Sequence, residues 1–136
     1  NIVSFFRKNL LQLFKSKVNM AFCNEQEAKN FSETDSLKDT HKFLREMSDT
    51  YIITLGKDGA ICFDGKNLLK VNGLEVSSKD FTGAGDMFLG AFMHKIKNNN
   101  FLETMMFANY CASRIIQIYG AKFSNKNDYL SLIEKS

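Results

Sequence analysis

The sequence predicts an α/β fold with a mainly parallel sheet and layers of helices. Stretches with helical apolar spacing alternate with short apolar runs rich in β-branched and aromatic residues, which is the order expected of such a fold. The chain has 136 residues, of which 44% are apolar and 13 are Phe, so it can bury a core of useful size. We therefore predict a single α/β domain over residues 1–136.

The first half of the chain is predicted to contain three helices and two strands. Apolar residues at spacings of three and four predict a helix over 2–15, and a short apolar run predicts a strand over 18–23. Helices are expected over 25–31 and 35–47, the second with Asp35 or Ser36 as its N-cap. The segment YIITL at 51–55 is the strongest strand pattern in the chain.

The second half is predicted to contain a β-hairpin and three helices. After a turn at 56–59, strands at 60–63 and 68–71 are joined by the turn-forming residues 64–67, and an extended segment follows at 74–77. Helices are expected over 83–97, 101–119 and 127–134. Gly120 is predicted to be the C′ residue that ends the second of these helices.

Charge and cysteine content exclude several classes of protein. The 18 basic and 15 acidic residues leave a formal charge of +3 without a long basic stretch, so the sequence does not call for a nucleic-acid partner. Three widely spaced cysteines without CxxC spacing argue against a disulfide framework or a zinc site. No apolar run reaches the roughly 20 residues that cross a bilayer, and no signal-peptide pattern is present. We expect a cytoplasmic protein with no membrane partner.

The best candidate for a functional site is the stretch DFTGAGD at 80–86, at the start of a predicted helix. Small side chains at Gly83, Ala84 and Gly85 let backbone N–H groups approach a ligand, and at a helix N-terminus these groups are unpaired and carry the positive end of the dipole. Asp86 beside this anion site is suited to take a proton from an attacking hydroxyl, as phosphoryl transfer requires. The alternative is that the glycines only permit a tight loop and Asp86 only favours the helix dipole.

The longer stretch DFTGAGDMFLGAF at 80–92 resembles the C-terminal signature DTxGAGDxFxGGF of the ribokinase (PfkB) family of carbohydrate and nucleoside kinases. Three further stretches follow the family's order. NEQEA at 24–28 resembles its NxxE element, TLGKDG at 54–59 its TLGxxG nucleotide loop, and ANYCAS at 108–113 its last nucleotide-contacting segment. The first and last of these look most like the adenosine kinase branch. The resemblance implies a three-layer ribokinase-like fold and an ATP-dependent transfer of the γ-phosphate to a hydroxyl of a sugar or nucleoside.

Carried over residue by residue, the resemblance assigns roles within the site. It makes Asp86 the general base, and it makes the N–H groups of Gly83, Ala84 and Gly85 the anion hole for the γ-phosphate. The residues that it assigns to nucleotide binding are Asn24, Thr54, Gly56, Gly59, Asn109 and Gly120, with Asn109 near the adenine. The alternatives are that residues 56–59 form only a turn and that Asn109 is a solvated or otherwise satisfied amide.

The resemblance also implies two metal ions, Mg²⁺ and K⁺. Asn24 and Glu27 would help to place Mg²⁺ and the phosphates through water. The alternative is a capping box, in which Asn24 caps a helix and Glu27 is its third residue. Asp80 and Thr82, with carbonyl groups near Gly120, resemble the family's K⁺ site, although Phe81 stands where a small residue is usual.

Members of this family are commonly at least twice as long as this sequence. The resemblance assigns the lid and most contacts to the phosphate acceptor to an N-terminal half that these residues lack. We therefore expect the chain to be the ATP-binding and catalytic part of a kinase, completed by such a half or by a second copy. The alternative is a stand-alone nucleotide-binding, phosphate-binding or interaction domain without catalytic activity.

Overall fold

The computed structural model describes residues 11–12, 17–118, 120 and 123–134, and most of the helix predicted over 2–15 lies outside them. The described elements are β1 (Val18–Asn24), α1 (Glu25–Ser32), α2 (Leu37–Met47), β2 (Ser48–Thr54), β3 (Ala60–Phe63), β4 (Leu68–Val71), α3 (Ala84–Lys95), α4 (Phe101–Ile115) and α5 (Lys126–Glu134). Short 3₁₀ turns occupy Gly56–Asp58 and Ile96–Asn98. Within these ranges, no helix combines the length and the apolar character that a membrane span requires.

The four strands form one sheet in the order β1-β2-β3-β4. β1 and β2 are parallel, and α1 and α2 make the crossover between them. The register pairs Asn24 with Thr54, so the last residues of these two strands are neighbours. β3 and β4 form the predicted hairpin, whose turn is closed because Asp64 Oδ1 accepts hydrogen bonds from the N–H groups of Lys66 and Asn67 at 2.8 and 2.6 Å.

The chain divides into two compact units, and the first comprises residues 1–55 and 61–69. Its core contains Leu44 from α2, Tyr51 from β2 and Phe63 from β3, and the Tyr51 and Phe63 rings stack 5.6 Å apart. The hydroxyl of Tyr51 lies 2.8 Å from Nδ1 of His41. Burial raises the pKa of Tyr51 to about 12, so this contact holds a neutral phenol in the core.

The second unit comprises residues 56–60 and 70–136, and α3 packs against α4 within it. The rings of Phe92 and Phe101 meet edge to face with their centroids 5.5 Å apart. Lys95 Nζ lies 4.7 Å from the centroid of the Phe107 ring. Because this pairing buries one face of α3, the residues at the start of α3 are held on a packed helix.

The bounds of several predicted elements are wrong, and β2 begins at Ser48 rather than at 51. α4 ends at Ile115 rather than at 119, because the carbonyl of Ile116 accepts the N–H groups of Lys79 and Asp80 at 2.7 and 3.2 Å and the chain then leaves the helix. Gly120 is therefore not the C′ residue of α4, although it does adopt the left-handed conformation, with φ of +86°. The helix predicted over 83–97 also ends earlier, at Lys95, and continues as a 3₁₀ turn.

Candidate functional site

The turn that begins α3 leaves backbone donors without a protein acceptor. Gly83 is the N-cap with φ of +79°, and no side chain caps the helix. The N–H of Ala84 contacts the carbonyl of Phe81 at 3.3 Å. Within the described residues, the N–H groups of Gly85 and Asp86 have no protein acceptor. The positive end of the α3 dipole therefore presents at least two donors to a ligand.

Asp86 lies in the first turn of α3, beside these donors, and its side chain is exposed. A cavity of about 380 Å³ opens next to it, with Gly83, Met87, Tyr129 and Ile133 among its walls. A methyl group added at Gly85 would meet no atom within 4 Å. The carboxylate is therefore accessible to a ligand that carries a hydroxyl.

Asp80 joins the start of this turn to Gly120. Its Oδ1 accepts the N–H of Thr82 at 2.9 Å, and its Oδ2 accepts the N–H of Gly120 at 3.0 Å. Hydrogen bonds from the side chain and the N–H of Thr82 hold the pKa of Asp80 below its usual value, and the N–H of Gly120 adds a smaller effect in the same direction. Asp80 and Thr82, which are predicted to bind K⁺ with carbonyl groups near Gly120, thus lie next to Gly120. Each carboxylate oxygen of Asp80 keeps lone pairs that suit a hard cation.

The loop at 56–59 is built for close contact between backbones. Gly59 has φ of +96°, and a Cβ there would stand 2.0 Å from the carbonyl oxygen of Val71. A Cβ at Gly73 would stand 1.7 Å from the carbonyl oxygen of Lys57. The glycines therefore let residues 57–59 pack directly on the segment that follows β4. Sequence reasoning missed Gly73, because no local pattern links it to a loop 16 residues earlier in the chain.

Asn109 on α4 contacts the same segment. Its Nδ2 donates to the carbonyl of Asn72 at 2.8 Å. The predicted position near adenine thus corresponds to a side chain whose amide already has a backbone partner. Asn109 fixes the chain after β4, and this agrees with the alternative of a satisfied amide.

An open groove of about 770 Å³ lies beside this segment. Lys57 and Asp58 of the loop, Leu74 of the segment, Phe81 of the turn and Ile116 after α4 are among its lining residues. Sequence reasoning noted Phe81 only as a departure from the family's pattern and did not place it in a groove.

In the first unit, Asn24 and Glu27 form the capping box. Asn24 Oδ1 accepts the N–H of Glu27 at 2.8 Å, and Glu27 Oε2 accepts the N–H of Asn24 at 2.9 Å. Thr54 is the register partner of Asn24 at the carboxyl ends of β1 and β2, the end at which open parallel sheets bind ligands. The capping role left open by the sequence is therefore present.

The predicted metal-binding residues do not make a cage of protein ligands. Across the described ranges, no group of three or more His, Cys, Asp or Glu side chains is placed to hold a metal ion. Mg²⁺ keeps much of its water and commonly uses one or two carboxylates together with substrate phosphates. Glu27 and Asn24 supply oxygen atoms of the kind that such a hydrated ion contacts.

Several known proteins similar to this chain are kinases. The family model described as pfkB family carbohydrate kinase matches residues 2–128. A ribokinase of Lactococcus lactis is 34% identical over 100 residues, which are 73% of this chain and 32% of that protein. The solved structure of adenosine kinase from Sinorhizobium meliloti matches 98% of this chain and 42% of its own, with a TM-score of 0.85 and 23% identity.

A further solved structure, aminoimidazole riboside kinase from Salmonella enterica complexed with aminoimidazole riboside and an ATP analog, has a TM-score of 0.78. It is 21% identical and matches 98% of this chain and 48% of its own. The predicted ribokinase-like α/β fold is confirmed by these likenesses, and adenosine kinase is among the similar proteins as the resemblance implied. The chain spans about a third (32%) of the length of the Lactococcus lactis ribokinase that it matches.

Proposed function

Because this chain belongs to the pfkB family of carbohydrate kinases, we propose that it is the ATP-binding and catalytic-base part of a kinase. That kinase transfers the γ-phosphate of ATP to a hydroxyl group of a sugar or a nucleoside. The observation that carries the proposal is the uncapped start of α3, where the N–H groups of Gly85 and Asp86 have no acceptor in the described part of the chain.

The turn at 83–86 binds the terminal phosphate. Hydrogen bonds from backbone N–H groups to a charged phosphate are stronger than those to a neutral acceptor, and the dipole of α3 adds to them. The N–H of Ala84 is engaged by the carbonyl of Phe81 at 3.3 Å. Among the residues of the predicted anion hole, Gly83 and Gly85 therefore keep N–H groups for the phosphate, with the N–H of Asp86 beside them.

Asp86 is the general base. The hydroxyl oxygen of the acceptor forms a new bond to the γ-phosphorus, the bond between that phosphorus and the β–γ bridging oxygen breaks, and ADP leaves. The hydroxyl proton passes to the carboxylate of Asp86. Exposure of Asp86 at the mouth of a cavity gives the acceptor access to this carboxylate.

The nucleotide-binding roles of Gly59 and Asn109 are indirect. Gly59 lets the loop pack on the carbonyl of Val71, and Asn109 holds the carbonyl of Asn72, so both shape the wall of the open groove. A bound ATP analog in the similar aminoimidazole riboside kinase supports ATP as the nucleotide. A direct contact from Thr54 to ATP stays a prediction of the resemblance.

Two cations complete the proposal. Mg²⁺, when bound, neutralises charge on the phosphates. Glu27 uses Oε2 in the capping box and keeps its other carboxylate oxygen for the water shell of this ion. Asp80 and Thr82, with carbonyl groups near Gly120, take K⁺, and the hydrogen bonds of Asp80 hold Thr82 and Gly120 close to it.

Titration calorimetry on the purified chain tests the proposal. We expect saturable binding of Mg-ATP at or below about 1 mM, the range of ordinary enzyme substrates. AMP should bind more weakly, because it lacks the β- and γ-phosphates. A chain with a folded circular-dichroism spectrum that gives no heat with Mg-ATP at this concentration would contradict the proposal. Binding without phosphate transfer to any sugar or nucleoside would instead support the alternative of a nucleotide-binding domain.

A further inference from the structure

Phe81 is an exposed aromatic residue at an unusual position in the molecule. Its side chain is 62% exposed, and within the described ranges it makes no ring contact. It stands between Asp80, whose carboxylate accepts the N–H of Gly120, and Thr82. Neither the core nor the capping of α3 accounts for a large aromatic side chain here.

The backbone around Phe81 is fixed on both sides. The N–H of Asp80 donates to the carbonyl of Ile116 at 3.2 Å, and the carbonyl of Phe81 accepts the N–H of Ala84 at 3.3 Å. The Asp80 side chain also accepts the N–H of Thr82 at 2.9 Å. The ring of Phe81 is therefore carried by a bonded turn that also carries the phosphate donors of α3.

The ring of Phe81 lines the open groove of about 770 Å³, a volume within the usual range for small-molecule sites. Leu74, which is 48% exposed, lines the same groove, as does Ile116. A flat apolar ligand would cover the apolar surface that Phe81 and Leu74 leave in contact with water.

Charge and hydrogen-bonding capacity favour a neutral aromatic ligand in this groove. The groove is lined by two cationic and two anionic side chains, Lys57, Lys70, Asp58 and Glu75. Because their charges balance, the groove has no net preference for phosphate. The residues at 74–78 form no regular structure, and in the described part of the chain their N–H and C=O groups have no partner. These groups can pair with the polar edge of a base.

We propose that Phe81 is the platform on which the nucleobase of the bound nucleotide stacks, in the groove that the free backbone groups at 74–78 also line. This inference rests on the proposed function, since it assumes that the phosphates of the same nucleotide bind at Gly85. Phe81 thereby makes the affinity for ATP depend on the base as well as on the phosphate chain. Nothing about the phosphate turn itself requires an aromatic residue at this position.

Calorimetry with two ligands tests the role of Phe81. Mg-ATP and Mg-tripolyphosphate carry the same phosphate chain, but only ATP carries a base. We expect Phe81→Ala to weaken Mg-ATP binding about tenfold, the usual scale of base stacking, and to leave Mg-tripolyphosphate binding within about twofold. Phe81→Tyr should retain the affinity of the natural chain for ATP.

The matched control is Met106→Ala, because Met106 is 59% exposed on α4 and does not line the groove. It should change neither affinity. Unchanged ATP binding in Phe81→Ala, or an equal loss for both ligands, would overturn the role of Phe81 while the phosphate site stands. If the natural chain binds neither ligand, the proposed function and this inference both fall.

Nuclear Overhauser effects give a second readout that does not depend on affinity. With ring-labelled Phe, we expect contacts between the adenine H2 or H8 protons and a phenylalanine ring in the natural chain, and their loss in Phe81→Thr. Circular dichroism of each variant shows that the fold is kept. Contacts that persist in Phe81→Thr would assign the base to another ring and overturn the proposal.

Discussion

The N-termini of α1 and α3 differ in how the unpaired backbone N–H groups of a helix start are satisfied. At α1 the side chains of Asn24 and Glu27 satisfy backbone groups reciprocally, at 2.8 and 2.9 Å. At α3 the N-cap is Gly83, which has no side chain, and within the described residues the N–H groups of Gly85 and Asp86 stay without an acceptor. The first helix end stabilises the fold by itself. The second has donors that a ligand can use.

This difference shows how a capping pattern can be separated from a binding pattern. Both stretches pair small or polar residues with an acid in the first turn, and both were candidates for phosphate or metal binding. Where the acid accepts a hydrogen bond from the N–H of the N-cap residue, as Glu27 does, helix capping alone accounts for its position. Asp86 makes no such bond in the described part of the chain, so its carboxylate remains available to a ligand.

The largest expected effect is on turnover. In a preparation of the enzyme that transfers phosphate from ATP, Asp86→Asn should lower kcat about 100-fold or more, because the general base is lost while the phosphate donors remain. ATP affinity should change little. The matched control is Asp39→Asn, because Asp39 is an exposed acid in the first turn of α2, whose N-cap is Ser36. Equal turnover in the two variants would remove Asp86 from the mechanism.

The next effect is on stability, and it distinguishes Gly59, whose missing side chain the fold requires, from Gly85, which we propose contacts phosphate. Gly59→Ala should lower the free energy of unfolding by about 2 kcal/mol or more, because the added Cβ meets the Val71 carbonyl and φ is positive. Gly85→Ala should leave stability within about 0.5 kcal/mol, because open space surrounds it. It should nevertheless weaken Mg-ATP binding about tenfold, since phosphate fills that space under our proposal.

Urea unfolding and calorimetry on the same samples measure both quantities. Gly56→Ala is the control for backbone strain alone, since Gly56 has φ of +58° but no neighbouring atom within 4 Å of its added Cβ. It should fall between the other two variants in stability. If Gly85→Ala destabilises the chain as much as Gly59→Ala, the turn at 83–86 is a structural loop.

The smallest effect concerns the capped end of α1. Asn24→Ala should lower the free energy of unfolding by about 1 kcal/mol, and Asn24→Ser should restore most of it, because Ser also caps helices. Glu27→Gln keeps the capping box and so keeps stability. If Glu27 also serves Mg²⁺, this variant should need more Mg²⁺ to bind ATP. An unchanged Mg²⁺ titration would leave Glu27 with the capping role alone.

Short-range interactions could be predicted from the sequence. The hairpin at 60–71 depends on residues within about a dozen positions, so residue types and spacing were enough to predict it. They also offered the capping box at Asn24 as an alternative and Ser36 as one of two possible N-caps, and both are present. The resemblance also grouped Asp80 with Gly120, which are 40 residues apart and are hydrogen-bonded. The small residues before α3 were likewise visible as a possible anion site.

Contacts between distant segments were decided only by the tertiary structure. The apolar pattern of α4 continues past Ile115, but the helix ends because residues 79–80 take the carbonyl of Ile116. Gly73 is needed because the Lys57 carbonyl approaches it, and Asn109 is held by Asn72, 37 residues away. Helical spacing and local residue types carry no information about which remote backbone group arrives at a given position. The sequence by itself therefore determined the local elements and the chemistry available at residues 80–86, whereas the fold decided which of those groups remain unpaired and free to bind.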